Sequence, residues 1–104
     1  MNRAPLPPFA DLLRSGADTL DAEILAEKAS ALGRSGAALE KALAALRACA
    51  EPREERRALA YAAAAAAQAH FIQRELSGWR RHDDVIRQFD IPPEVLGKIG
   101  ATPS

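Results

Sequence analysis

Leu25, Leu32, Leu39 and Leu46 recur every seventh residue, and Ala22, Ala29, Gly36, Leu43 and Ala50 fall between them. This is the a/d seam of a helix that packs along a partner helix. The pattern predicts a helix over residues 18–49. Asp18 or Thr19 caps it, and Asp21 and Glu23 sit at the positive end of its dipole. Glu51 and Pro52 mark its stop and the next start, because proline is tolerated at the first helical position. A second helix then opens with Glu54 and Glu55 and runs to Ser77. Gly78 is its predicted end, with continuation through Arg81 as the alternative. Its predicted seam is Ala58, Ala62, Ala65, Ala69, Ile72, Leu76 and Trp79, with spacings that alternate between four and three. The connection is very short, so the two helices pair antiparallel.

The remaining elements are short. Residues 1–17 form a proline-rich arm, in which Pro8 opens a short helix through Phe9, Leu12 and Leu13 that ends at Gly16. A helix over 83–89 follows the hairpin, capped by His82 or Asp83. Asp90, Ile91 and Pro92 form a turn, because Pro92 disfavours helical geometry at Ile91. A last helix over 93–99 is closed by Gly100. Val85, Ile86, Phe89, Ile91, Val95, Leu96 and Ile99 are expected to point inward. Residues 18–100 thus make one helical domain, 101–104 are a tail, and no strand pattern competes.

The run from Ala62 to Ala67 makes part of the second helix small on every side. Folding the chain at Glu51 puts Gly36 opposite Ala66 and Gly33 opposite Ala69. Each mid-helix glycine costs about 1 kcal/mol relative to alanine, and close helix approach is the expected compensation. The tract then acts as a notch for the facing leucines, with Ala65 inward and Ala63 on the polar flank beside His70 and Arg81. Compositional bias is the plain alternative, and a break of the first helix at Gly33–Gly36 is a second one.

One hairpin leaves apolar surface over. The first helix also carries Ile24, Ala31, Ala38, Ala42, Ala45 and Cys49, making its apolar arc wider than the ~100° stripe that one neighbour covers. Phe71 lies off the second seam, beside Ala60, Ala64 and Ala67. The expected fold class is therefore all-α: a long antiparallel helical hairpin with two short C-terminal helices, dimerising into a four-helix bundle. Ile24, Ala31, Ala38 and Phe71 are the candidate dimer contacts. Whether the dimer uses the hairpin or the terminal segments is left open.

Charge and composition narrow the function. Lys and Arg total 14, Asp and Glu total 14, and the formal net charge is +0. Such a chain exerts no long-range pull on nucleic acid or an anionic membrane, and it suits self-association. Cys49 is the only cysteine, as in a reducing cytoplasm. The start has no secretory apolar run, and the longest uncharged window is shorter than a membrane span of ~20 residues. The expected location is cytoplasmic.

The side chains offer little chemistry. His70 and His82 are the only histidines, and neither belongs to the Glu-x-x-His pairs a bundle metal site uses. His70 reads as a partly exposed helix residue. His82, Asp83 and Asp84 read as a cap and acidic first turn rather than as the His-Asp pair of a phosphohydrolase. Cys49 lies at the negative end of a helix, where a thiol is not activated. No glycine-rich phosphate loop follows a strand, and no serine has plausible triad partners. The final helix pair has the outline of a helix-turn-helix, but Glu94 would repel phosphates and Lys98 is the only cation on its second helix. No catalytic, cofactor-binding or metal-binding residue is assigned, and no cofactor is expected. One exposed cluster, Arg74, Trp79, Arg80, Arg81 and His82, has the composition of a protein-partner site.

The segments EKASALGRSGAALEKALAAL and FIQRELSGWRRHDDVIRQFDIPPEVLGKIG together resemble a group of short bacterial proteins that share a domain of unknown function. The likeness spans about residues 21–100. It implies a small all-helical cytoplasmic protein and brings no activity and no functional residues. The expected function is a non-enzymatic structural or protein–protein interaction module, working as a homodimer. A regulatory nucleic-acid-associated module using the C-terminal helix pair, and a small-ligand binder or enzyme at the dimer seam, are the alternatives.

Overall fold

The computed structural model describes residues 16–102, and among them it is all-helical with no strand. Helix α1 spans Gly16–Ala48, α2 spans Arg53–Leu76, α3 spans Asp83–Gln88 and α4 spans Pro93–Leu96. The helix expected over 8–16 lies outside the described residues. α1 has 33 residues, so it is about 50 Å long, and it passes Gly33 and Gly36 without the break held open above. Pro52 is the N-cap of α2 rather than its first residue, and Glu54 and Glu55 occupy the first turn as expected. α3 and α4 are shorter than predicted, because turns take over at Phe89 and Gly97.

α1 and α2 pack against each other along the length of α2. In the loop-proximal half the seam is dry: Leu39, Leu43 and Leu46 are buried against Ala60, Ala63, Ala64 and Ala67. Burying each such leucine contributes roughly 1.5–3 kcal/mol. Val85, Ile91 and Val95 close this core, with Ile86, Phe89, Leu96 and Ile99 packed around them. The inward set expected of the C-terminal segment therefore holds.

The second helix corrects the sequence reading. Ala58, Ala62, Ala65, Ala69, Ile72, Leu76 and Trp79 are all exposed, and the buried face is Ala60, Ala63, Ala64, Ala67, His70 and Arg74. Ala65 points out and Ala63 points in, the reverse of the expectation. Alanines populate both faces, so the predicted stripe was drawn by Ile72, Leu76 and Trp79. The true inward face instead ends in two polar side chains, each held by internal hydrogen bonds.

The pairing register shifts with the face. Gly36 meets His70 rather than Ala66, and a Cβ at Gly33 would meet nothing within 4 Å. The difference is about one helical turn. α2 stops at Leu76, which shares a groove with Leu25, Ala29 and Leu32. Beyond it, α1 runs on toward Gly16 without α2 alongside. Leu25, near the end of α2, is exposed, and Leu32, still level with its last turn, is half-buried, whereas Leu39 and Leu46 fill the seam.

Two side chains lock the closed end. Arg56 Nη1 donates to the carbonyls of Leu46 and Cys49 at 3.1 and 2.7 Å, satisfying acceptors that the end of α1 leaves free. Arg47 Nη2 donates to the Phe89 carbonyl at 2.7 Å, tying α1 to the end of α3. Cys49 is half-buried, with Sγ 3.8 Å from the Glu51 carbonyl.

Candidate functional site

Polar groups gather at the corner where α2 gives way to α3. The corner is built by a Schellman turn. Gly78 takes φ 100°, a conformation only glycine adopts without penalty. Its N–H donates to the Glu75 carbonyl at 3.1 Å, and the Trp79 N–H donates to the Arg74 carbonyl at 2.9 Å. In most such turns an apolar contact joins these last two positions. Here the Trp79 ring lies 4.8 Å from the Arg74 guanidinium, a cation–π contact. Asp90 repeats the turn after α3 at φ 52°, with Ile91 N–H donating to the Ile86 carbonyl at 3.0 Å.

Arg74 is the centre of this corner, and it is not exposed as the sequence suggested: it is 6% accessible. Nε donates to His82 Nδ1 at 3.2 Å, and Nη2 donates to the Arg81 carbonyl at 3.0 Å and to Asp84 Oδ1 at 2.9 Å. His82 Nε2 lies 3.3 Å from Glu75 Oε2. With Nδ1 accepting from Arg74, Nε2 carries the proton and donates to Glu75. Burial acts upward on the Asp84 carboxyl, but the Val85 backbone N–H and Arg74 outweigh it and hold the group below the usual carboxylate range. The geometry joins two helices and commits the Nε and Nη2 donors of Arg74 to groups of its own chain.

The His82 ring stacks on Phe71, with centroids 4.4 Å apart and planes 5° from parallel. Phe71 therefore finds cover within its own chain and packs against the core. Of the other predicted dimer contacts, Ile24 and Ala38 are exposed and Ala31 is half-buried. Of the predicted partner cluster, Trp79, Arg80 and Arg81 remain exposed, and Arg81 pairs with Asp83 at 2.8 Å.

The second polar centre was read wrongly from the sequence. His70 is 5% accessible, not partly exposed. Its Nδ1 lies 2.7 Å from Ser35 Oγ, which itself donates to the Leu32 carbonyl at 3.0 Å. One hydroxyl proton cannot serve both contacts, so Nδ1 carries its own proton and donates to Oγ. That polarity is the opposite of a serine activated by a histidine base. Burial, then the positive charge of Arg74 and then His82 hold the His70 pKa below its ordinary value. The ring also meets Phe89 edge-on, 5.8 Å between centroids. Ser35, Gly36, Glu75, Asp84 and Phe89 thus join the polar centres, a role that no sequence signal gave them. Their contacts cross between helices and carry no local spacing.

Among the described residues, no three His, Cys, Asp or Glu side chains come together as metal ligands do. No helix among them is long and apolar enough to cross a membrane. A shallow groove of about 230 Å³ at the open end of the hairpin is lined by Leu25, Lys28, Ala29, Leu32, Leu76 and Ser77. Leu20, Ile24 and Ile72 are exposed as well.

A family model described as a family of unknown function, DUF6665, matches residues 10–104. Neither a curated protein nor a solved structure matches the chain.

Proposed function

The chain belongs to DUF6665, a family of unknown function, and on that footing we propose a non-enzymatic structural or protein–protein interaction module that pairs with a second copy of itself. The observation that carries the reading is the bare side of the hairpin. Glu40 and Arg47 of α1 line a cavity with Gln88 and Phe89, so the C-terminal helices cover that side. Helical spacing puts Ala31, Ala38 and Ala45 on the opposite flank of α1, and Ala62 and Ala69 on the matching flank of α2. Ala38, Ala45, Ala62 and Ala69 are exposed, and Ile24 and Ile72 extend the apolar surface toward the open end.

A second hairpin suits this side better than an unrelated partner. From Leu59 to Gln73 α2 carries no Asp, Glu, Lys or Arg, while on α1 Arg34 and Lys41 rim the alanines, and a two-fold pairing needs a patch that complements itself. A face about 30 Å long and about 20 Å wide offers on the order of 600 Å² per copy, near the lower bound of stable interfaces. The product is a four-helix bundle with the short helices outside. The single cysteine supports a cytoplasmic location. The nucleic-acid alternative is the weaker reading, since α4 is a four-residue helix, too short to serve as a recognition helix. Light scattering at micromolar concentration tests the reading. A mass of two chains is expected, reverting to one chain with unchanged helicity in an Ala38→Glu, Ala69→Glu variant. The mass of a single chain for the unaltered protein would overturn it.

A further inference from the structure

On the covered side, Arg53, Arg56, Arg57, Glu94 and Lys98 line a cavity of about 380 Å³. We propose that this cavity binds a small multivalent oxyanion of the phosphate class. Four cations face one carboxylate in a protein whose formal net charge is +0, so the excess is local. The one carboxylate is already engaged: Glu94 pairs with Arg56. Arg56 in turn spends its other terminal nitrogen, Nη1, on the carbonyls of Leu46 and Cys49. It is a fixed wall, not a free ligand.

Three cations remain. Tyr61 gathers two of them, with the Arg57 guanidinium 5.0 Å and the Lys98 ammonium 5.5 Å from its ring centroid. Lys98 Nζ also donates to the Glu94 carbonyl at 3.3 Å, which holds the ammonium at the cavity wall. Among the described residues, Arg53, Arg57 and Lys98 form no ion pair with a carboxylate. Like charges lining one cavity repel, and a bound dianion removes the repulsion. A phosphate or pyrophosphate group accepts several charge-assisted hydrogen bonds at once, matching two guanidinium forks and an ammonium. The cavity lies away from the bare hairpin side, so the site and the dimer stand or fall separately.

The test has two arms, because the same group occurs free and on lipid headgroups. Calorimetric titration with inorganic pyrophosphate forms one arm. Pelleting with phosphatidylcholine vesicles doped with phosphatidic acid forms the other. Saturable binding of one anion per chain is expected in at least one arm, and the responding arm identifies the source. Lys98→Gln and Arg57→Gln each weaken it about tenfold. Arg80→Gln removes a cation at the far corner and leaves binding unchanged. Arg53→Gln replaces Arg57→Gln if the latter loses helicity. No saturable binding in either arm, or equal weakening by Arg80→Gln, overturns the proposal.

Discussion

His70 occupies the space that a side chain at Gly36 would need: a Cβ there would lie 3.3 Å from His70 Cε1. The glycine on α1 is thus the counterpart of the imidazole on α2. Gly33, one turn away, has open space around the same position. Gly33→Ala is therefore expected to stabilise the protein by about 0.5–1 kcal/mol, through helix propensity alone. Gly36→Ala gains the same propensity but must push the ring aside, so it stabilises less or not at all. Gly36→Val overpacks the site and costs roughly 1–3 kcal/mol. Urea melts of the three variants check the order.

Ala63 and Ala65 give a second comparison. Ala63 is fully buried against α1, and Ala65 is exposed. Ala63→Leu should cost roughly 1–3 kcal/mol or more by overpacking the seam. Ala65→Leu should stay within about 0.5 kcal/mol in the unassociated chain. Both changes share chemistry and local propensity, so the difference in denaturation midpoint isolates packing. Equal shifts would contradict the observed face of α2.

His70 makes stability depend on pH. Its folded-state pKa lies below the ordinary 6.5 because of burial, then Arg74 and His82. The unfolded chain therefore binds the proton more readily, and stability is lost as pH falls below about 6.5 toward the folded pKa. Above that point the contribution is fully present. His70→Gln removes the titration. The difference between wild-type and variant stabilities should thus be flat from pH 8 to about 7 and should close below about 6.5. Denaturant melts across this range read it directly.

Arg74 is expected to matter far more than its exposed neighbours. Arg74→Leu strips donors from His82, the Arg81 carbonyl and Asp84 and removes the cation under Trp79. A cost of about 2–3 kcal/mol follows. Arg80→Ala should stay within about 0.5 kcal/mol. Trp79 emission should shift in the first variant and not in the second.

The sequence made the helices legible because caps, prolines and glycines punctuate the chain. Pro52, Gly78 and Pro92 fall at helix ends, whereas the last helix closes at Gly97 rather than at Gly100. The leucine heptad placed the inward face of α1 correctly from Leu39 to Leu46. On α2 the same method failed, since alanine fits either face and three exposed residues, Ile72, Leu76 and Trp79, outweighed it. The inward His70 and Arg74 look polar in sequence. Their partners lie on other elements: Ser35 is 35 positions away from His70, and Asp84 is 10 from Arg74. Hydrophobicity alone cannot weigh such compensation, so the polar centres became visible only in three dimensions.

The unequal length of the two long helices, 33 residues against 24, has a dynamic consequence. At the closed end, each turn of α1 is held by leucine packing and by Arg47 and Arg56. At the open end α1 outruns α2, and Leu20, Ile24 and Leu25 are exposed, so these turns have less interhelical packing to hold them. Opening should therefore proceed from that end by local unfolding. Amide exchange is expected to slow progressively from Leu20 to Leu39 and to be slowest from Leu39 to Leu46. Association through the bare side would carry protection back toward Ile24, giving a residue-by-residue account of where the second copy sits.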